Sequence, residues 1–189
     1  MAEVLLFHHA QGLTEGVRRF ADGLSRAGHT VHTPDLYDGA TFETIEDGVG
    51  HARELGFGNV RESGVAAADG LPAGLVYAGF SLGAMPAQQL AQTRPGALGA
   101  LLLEAFVPPE EFGAWPEGVP VQVHGMADDE FFSEDRPAAE AFVADRPEAE
   151  LFLYPGKQHL FADDSLAGYD KVAADLLTER VLAFLAALS

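Results

Sequence analysis

The chain has 189 residues, 48% of them hydrophobic, with a formal net charge of -18 and no cysteine. That length suits one domain, spanning 1–189, with an ample core. The charge repels phosphate backbones and anionic lipid surfaces, which argues against nucleic-acid or membrane partners; the missing thiols exclude disulfides, thiolate catalysis and Cys-ligated zinc.

Val4 to His8 reads as a first strand. The opening stretch MAEVLLFHHAQG lacks the charged, apolar and cleavage regions of a secretory signal, and no apolar run approaches the roughly 18 residues of a membrane span. The expectation is a soluble, cytoplasmic protein. Glu15 to Ala27 places Val17, Phe20, Ala21 and Leu24 on one helical face, and Gly28 stands where such a helix stops. His29 to Thr33 reads as a second strand, ended by Pro34. Residues 35–72 are rich in Gly, Asp and Glu, with helical fragments around Ile45 to Leu55 and Val60 to Ala68.

Leu75 to Ala78 has the composition of a buried strand, and a helix follows Gly83, with Pro86 in its first turn. Leu98 to Leu103 and Val119 to His124 are the next strands, separated by a loop marked by Pro108, Pro109, Gly113, Trp115 and Pro116. Arg136 to Asp145 reads as a helix, Glu150 to Tyr154 as the last strand, and Asp170 to Leu188 as the last helix. About six strands alternating with helices predict an α/β fold with a mostly parallel sheet covered on both faces.

Gly79-Phe80-Ser81-Leu82-Gly83 matches G-x-S-x-G at the junction of a predicted strand and helix. A serine on that bend is exposed for attack, flanking glycines relieve crowding, and the helix start aims N–H groups at developing negative charge. The hydroxyl needs a base. Among 7 histidines, His159 lies in a loop after the last strand and before the last helix. The order Ser…Asp…His then asks for an acid after the strand Val119 to His124, where Asp128 and Asp129 both qualify. Leu82, just after the nucleophile, and the turn at His9 or Ala10 are the expected backbone oxyanion donors. His8, His9 and His124 lack a metal-ligand spacing, so neither metal nor organic cofactor is expected. No G-x-G-x-x-G follows the first strand, which argues against a nucleotide site.

The segments VLLFHHAQG, AGHTVHTPDLYDG, GFSLGA, HGMADDEFF and YPGKQHLF together resemble the dienelactone hydrolase family of the α/β-hydrolases, along most of the chain. The resemblance implies a triad whose acid lies in Asp-x-Phe-Phe, matching Asp129, with Ser81 and His159 as the other members. Ser81 stands where members that open dienelactone carry cysteine. His9 stands where they carry a glutamate near the resting nucleophile, and Asp163 falls where an arginine would grip a substrate carboxylate. The resemblance thus implies a serine hydrolase acting on a small ester or lactone other than dienelactone. Thioesterase or acyltransferase chemistry on the same scaffold, and a non-catalytic binding protein, are the alternatives. Phe112, Trp115, Phe131, Phe132 and Phe161 are expected in loops on the active-site side, where they either line an apolar pocket or, more simply, anchor the loops to the core.

Overall fold

The structure is a computed structural model that describes residues 1–188. In chain order its principal elements are β1 (Glu3–Phe7), α1 (Glu15–Arg26), β2 (Thr30–His32), α2 (Ile45–Leu55), α3 (Phe57–Ala66), β3 (Val76–Phe80), α4 (Ala84–Thr93), β4 (Gly99–Leu103), β5 (Val121–Met126), α5 (Phe132–Ala144), β6 (Ala149–Tyr154) and α6 (Lys171–Ala187). The six strands form one sheet in the order β2-β1-β3-β4-β5-β6. Every neighbouring pair is parallel.

β3, β4 and β5 are buried along their whole length; β3 and β4 accordingly read as apolar runs, while β5 also buries Gln122 and His124. Alternate side chains feed two cores. Leu6, Ala78, Leu101 and Leu103 pack with Val17 and Leu24 of α1 and with Leu177 and Val181 of α6. Phe7, Tyr77 and Leu102 point the other way and pack with Ala87 and Leu90 of α4 and Phe142 of α5. Side chains fix the helix starts: Thr14 accepts from Val17 N–H ahead of α1, and Asp170 accepts from Val172 and Ala173 N–H ahead of α6.

The sheet runs outward in one direction from β1 to β2, and in the other from β3 to β6. Its switch point therefore lies between β1 and β3. In open parallel sheets the crevice beyond the strand ends at such a point is where ligands bind.

The start of α5 differs from the sequence expectation, and the loop aromatics divide between the two roles open to them. α5 begins at Phe132, four residues before Arg136, because Ser133 N–H bonds the Asp129 carbonyl and starts the helix ahead of Pro137. Phe132 is therefore helical and fully buried; its ring fills the space over Gly125, where a Cβ would come within 2.4 Å of it. Phe161 and Trp115 are also core residues: Phe161 packs on Tyr154, and Trp115 packs on Phe142 while donating its indole N–H to Val119 O.

Candidate active site

Ser81 sits one residue beyond β3, at φ 48°, and opens a short 3₁₀ turn into α4. The two glycines of the motif have separate reasons. A Cβ at Gly79 would lie 2.0 Å from Gly83 O, so the bend could not close on itself. A Cβ at Gly83 would lie 2.6 Å from Phe7 O and from His8 O, so the elbow could not press against the end of β1. The left-handed backbone at a non-glycine residue is a strained geometry held by this packing.

The elbow brings three side chains from distant parts of the chain into a line. Ser81 Oγ lies 2.8 Å from His159 Nε2. His159 Nδ1 lies 2.6 Å from Asp129 Oδ2. Asp129 is 1% exposed, and its other oxygen accepts from Phe131 N–H at 3.0 Å. Asp128 is exposed and makes no bond to the ring; its own N–H donates to Gly156 O. Of the two neighbouring acids, only Asp129 faces the imidazole.

Ala10 and Leu82 lie on the two loops that flank Ser81. Their N–H groups take no part in the turn, loop and cap hydrogen bonds among the described residues. The carbonyl of His9 accepts from Gly12 N–H at 3.0 Å and from His8 Nδ1 at 2.7 Å. In a trans peptide the next N–H points the opposite way, so these bonds aim Ala10 N–H away from the turn. Gly48 of α2 backs the same loop, since a Cβ there would meet Ala10 O at 2.1 Å.

His8 and His9 are both fully buried. His8 donates from Nδ1 and accepts from Leu36 N–H at Nε2, and burial pulls its pKa down to about 4. His9 accepts from Gln11 N–H at Nδ1 and donates from Nε2 to Asp163 Oδ2 at 2.8 Å. Both of its ring nitrogens are thus occupied away from Ser81. Asp163 is itself buried, and takes further bonds from Thr14 Oγ1 and from Ser165 Oγ and N–H. The resemblance puts Asp163 where an arginine would grip a substrate carboxylate. Instead its carboxylate points into this buried cluster, over a glycine, Gly16, that leaves room for it. Burial alone would raise its pKa, but the hydrogen bonds from His9, Ser165 and Thr14 win and hold it at about 2.

Two acids near the imidazole were not singled out by their pattern. Glu104 directly follows β4, is 1% exposed, and accepts from Phe161 N–H at 2.8 Å. Burial raises its pKa to about 7. Asp135 in α5 accepts from Phe106 N–H at 3.0 Å and is also raised, chiefly by burial. Burial of the His159 ring opposes its protonation, yet the Asp129 bond and the charges of Glu104, Asp129 and Asp135 outweigh that, leaving its pKa above the ordinary value. The signal available in sequence was a lone glutamate in the apolar run Ala97 to Val107.

A cleft of about 340 Å³ opens onto His159 and Asp129, rimmed by Ile45, Asp128, Glu130, Phe131 and Lys157. Phe131 is 55% exposed, and its ring lies 4.8 Å from that of His159. Larger hollows of about 740 and 760 Å³ lie under the Pro108–Trp115 loop and beside Thr14, without the serine or the histidine. Among the described residues, no helix is long and apolar enough to cross a membrane.

The fold has close structural counterparts. A dienelactone hydrolase from Anabaena variabilis superposes with a TM-score of 0.71 at 19% identity, over 99% of this chain and 86% of its own. A dienelactone hydrolase-like promiscuous phosphotriesterase from metagenomic libraries gives 0.74 at 18%, over 100% and 87%. Esterase 2 of Thermogutta terrifontis, phosphonylated by sarin, gives 0.70 at 15%, over 100% and 84%. A search of curated protein sequences gave no match. The sequence model of the dienelactone hydrolase family matches residues 1–189, and the chain therefore belongs to that family of α/β-fold hydrolases.

Proposed function

We propose that this hydrolase cleaves small carboxylic esters or lactones through an acyl-enzyme on Ser81. The observation that carries the reading is the unbroken relay Ser81 Oγ, His159 and Asp129, with separations of 2.8 and 2.6 Å. Both lie within the hydrogen-bond reach that proton transfer requires.

In this mechanism His159 Nε2 takes the Ser81 proton as Oγ bonds to the carbonyl carbon, whose π pair moves onto oxygen. Asp129 holds the Nδ1–H tautomer and stabilises the imidazolium. The N–H groups of Leu82 and Ala10 are the proposed donors to the oxyanion. The oxyanion collapses, the alkoxy group leaves with the proton from Nε2, and the acyl-enzyme remains. Water, deprotonated by the same nitrogen, adds to the acyl carbon; collapse returns the proton to Ser81 and frees the acid. Every proton removed is returned, and none of these steps calls on a metal or organic cofactor.

The cleft favours uncharged substrates. Asp128 and Glu130 on its rim face a single cation, Lys157, and the whole chain carries -18. The exposed Phe131 ring beside His159 supplies an apolar wall for an acyl or alcohol group.

The test is labelling by a fluorophosphonate together with hydrolysis of p-nitrophenyl acetate. The wild-type protein is expected to be labelled at Ser81 and to hydrolyse the ester. S81A should lose both, with a rate loss on the order of 10⁴-fold or more. An S81A protein with wild-type turnover sinks the reading.

A further inference from the structure

Three of the four non-glycine residues with positive φ sit at one place: Ser81, Glu104 at φ 66° and Leu160 at φ 59°. Backbone strain of this kind persists only where surrounding structure enforces it. Ser81 is explained by the elbow. Leu160 follows the candidate base directly. Glu104 is the unexplained one.

Its position is set by the sheet. β3 and β4 pair with Phe80 opposite Leu103, so Glu104 continues β4 beside Ser81. Its N–H donates to His124 O at 2.6 Å. Oε1 accepts from Phe161 N–H at 2.8 Å, two residues beyond His159. Oε2 is buried with no hydrogen-bond partner. A buried carboxyl oxygen left unpaired is costly and is seldom kept without a role.

We propose that Glu104 is a positioning residue for His159: one oxygen ties the histidine loop to the end of β4, and the other sets the basicity of the imidazole through space. The inference rests on His159 being the base of the Ser81 relay.

The charges around the ring are few. His159 is acted on by Asp129 from the loop after β5, by Glu104 from β4 and by Asp135 from α5. Asp128, Glu130 and Lys157 share its cleft. Glu104 in turn feels His159, Asp129 and Asp163. The His124 ring on β5 is held neutral by burial, its pKa lowered to about 3, and bonds Tyr154 OH. Asp129 and Asp163 are committed to their own hydrogen-bond partners. Asp135, also raised by burial, is bonded to Phe106 N–H. Glu104, with its pKa raised by burial to about 7 and one oxygen unpaired, can change charge in the pH range where the base works. Ionised, it stabilises the imidazolium; protonated, it withdraws that support and leaves the ring a weaker base.

The experiment compares wild type, E104Q and E104A. The Gln amide keeps an acceptor for Phe161 N–H and removes the charge; Ala removes both. The readouts are the ¹⁵N titration of the His159 imidazole and the pH profile of kcat/KM for a p-nitrophenyl ester. In E104Q the His159 midpoint and the acid limb of the profile should both move to lower pH. In E104A, kcat should also fall, by about 100-fold, because the loop loses its anchor. An unchanged His159 midpoint in folded E104Q overturns the proposal. If E104Q does not fold, wild type decides: titration broadened by a second proton uptake supports the proposal, and a simple one-proton curve overturns it. The imidazole titration needs no turnover. A midpoint shift in E104Q together with an active S81A would therefore refute the acyl-enzyme reading and leave the Glu104 coupling standing.

Discussion

Asp128 and Asp129 are neighbours of identical chemistry in opposite surroundings. One is solvated at the rim; the other is buried against His159. D129N should therefore lose about 10⁴-fold in kcat, because the amide can hold the wrong imidazole tautomer. D128N should leave kcat unchanged, so comparing the two turnover rates checks the assignment. As the proposed base, His159 works as the neutral ring, and its pKa is raised. Activity should accordingly be low in acid and rise through a midpoint above the ordinary histidine value, read from kcat/KM against pH. Asp163 has the opposite shift. Its folded pKa of about 2 lies below the unfolded 3.8, so its contribution is present above about pH 4 and disappears as the pH falls toward 2. D163N should cost about 2 kcal/mol at pH 7 and less at pH 3, measured by urea unfolding. In sequence Asp163 could only be placed by counting from His159; its burial depends on Thr14 and Gly16, at the other end of the chain.

At the level of elements, the strand–turn–helix unit around Ser81 was legible because its constraints are local. Two glycines flank one serine, and each glycine answers a specific backbone approach. G83A should cost about 3 kcal/mol, the upper part of the overpacking range, since the added methyl meets backbone that cannot swing aside. G50A in α2 is the contrast. Nothing lies within 4 Å of a Cβ there, so it should stabilise by roughly 0.5–1 kcal/mol. Midpoints of urea unfolding would show both. The six strands and the final helix were also readable, because their apolar periods reflect burial by neighbours along the chain. The start of α5 was not, since Pro137 masks a first turn that Asp129 nucleates through its carbonyl. The loop aromatics stayed open between pocket and core for a related reason. A phenylalanine after a strand can turn inward or outward; Phe161 and Phe132 turned inward, while Phe131 stayed at the cleft. Glu104 was visible as a lone acid in an apolar run, but nothing in that run said that it would lie buried beside His159.

For the molecule as a whole, the acidic surface sets what can approach. With -18 overall and two carboxylates beside the cleft, an ester bearing a negative charge meets repulsion that salt screens. Its kcat/KM should increase as ionic strength rises from about 10 mM to 0.15 M, whereas that of a neutral ester stays level. Stopped-flow or steady-state assays with a matched pair of substrates would reveal the difference.

The serine and its base are 78 residues apart, and the His9–Asp163 bond spans 154. On the ribosome, the segment with Ser81 emerges well before the one that carries His159. A nascent chain halted short of residue 159 would carry the nucleophile as an inert alcohol. On the proposed reading, reactivity waits until the segment carrying Asp129 and His159 has been translated and docked against the elbow.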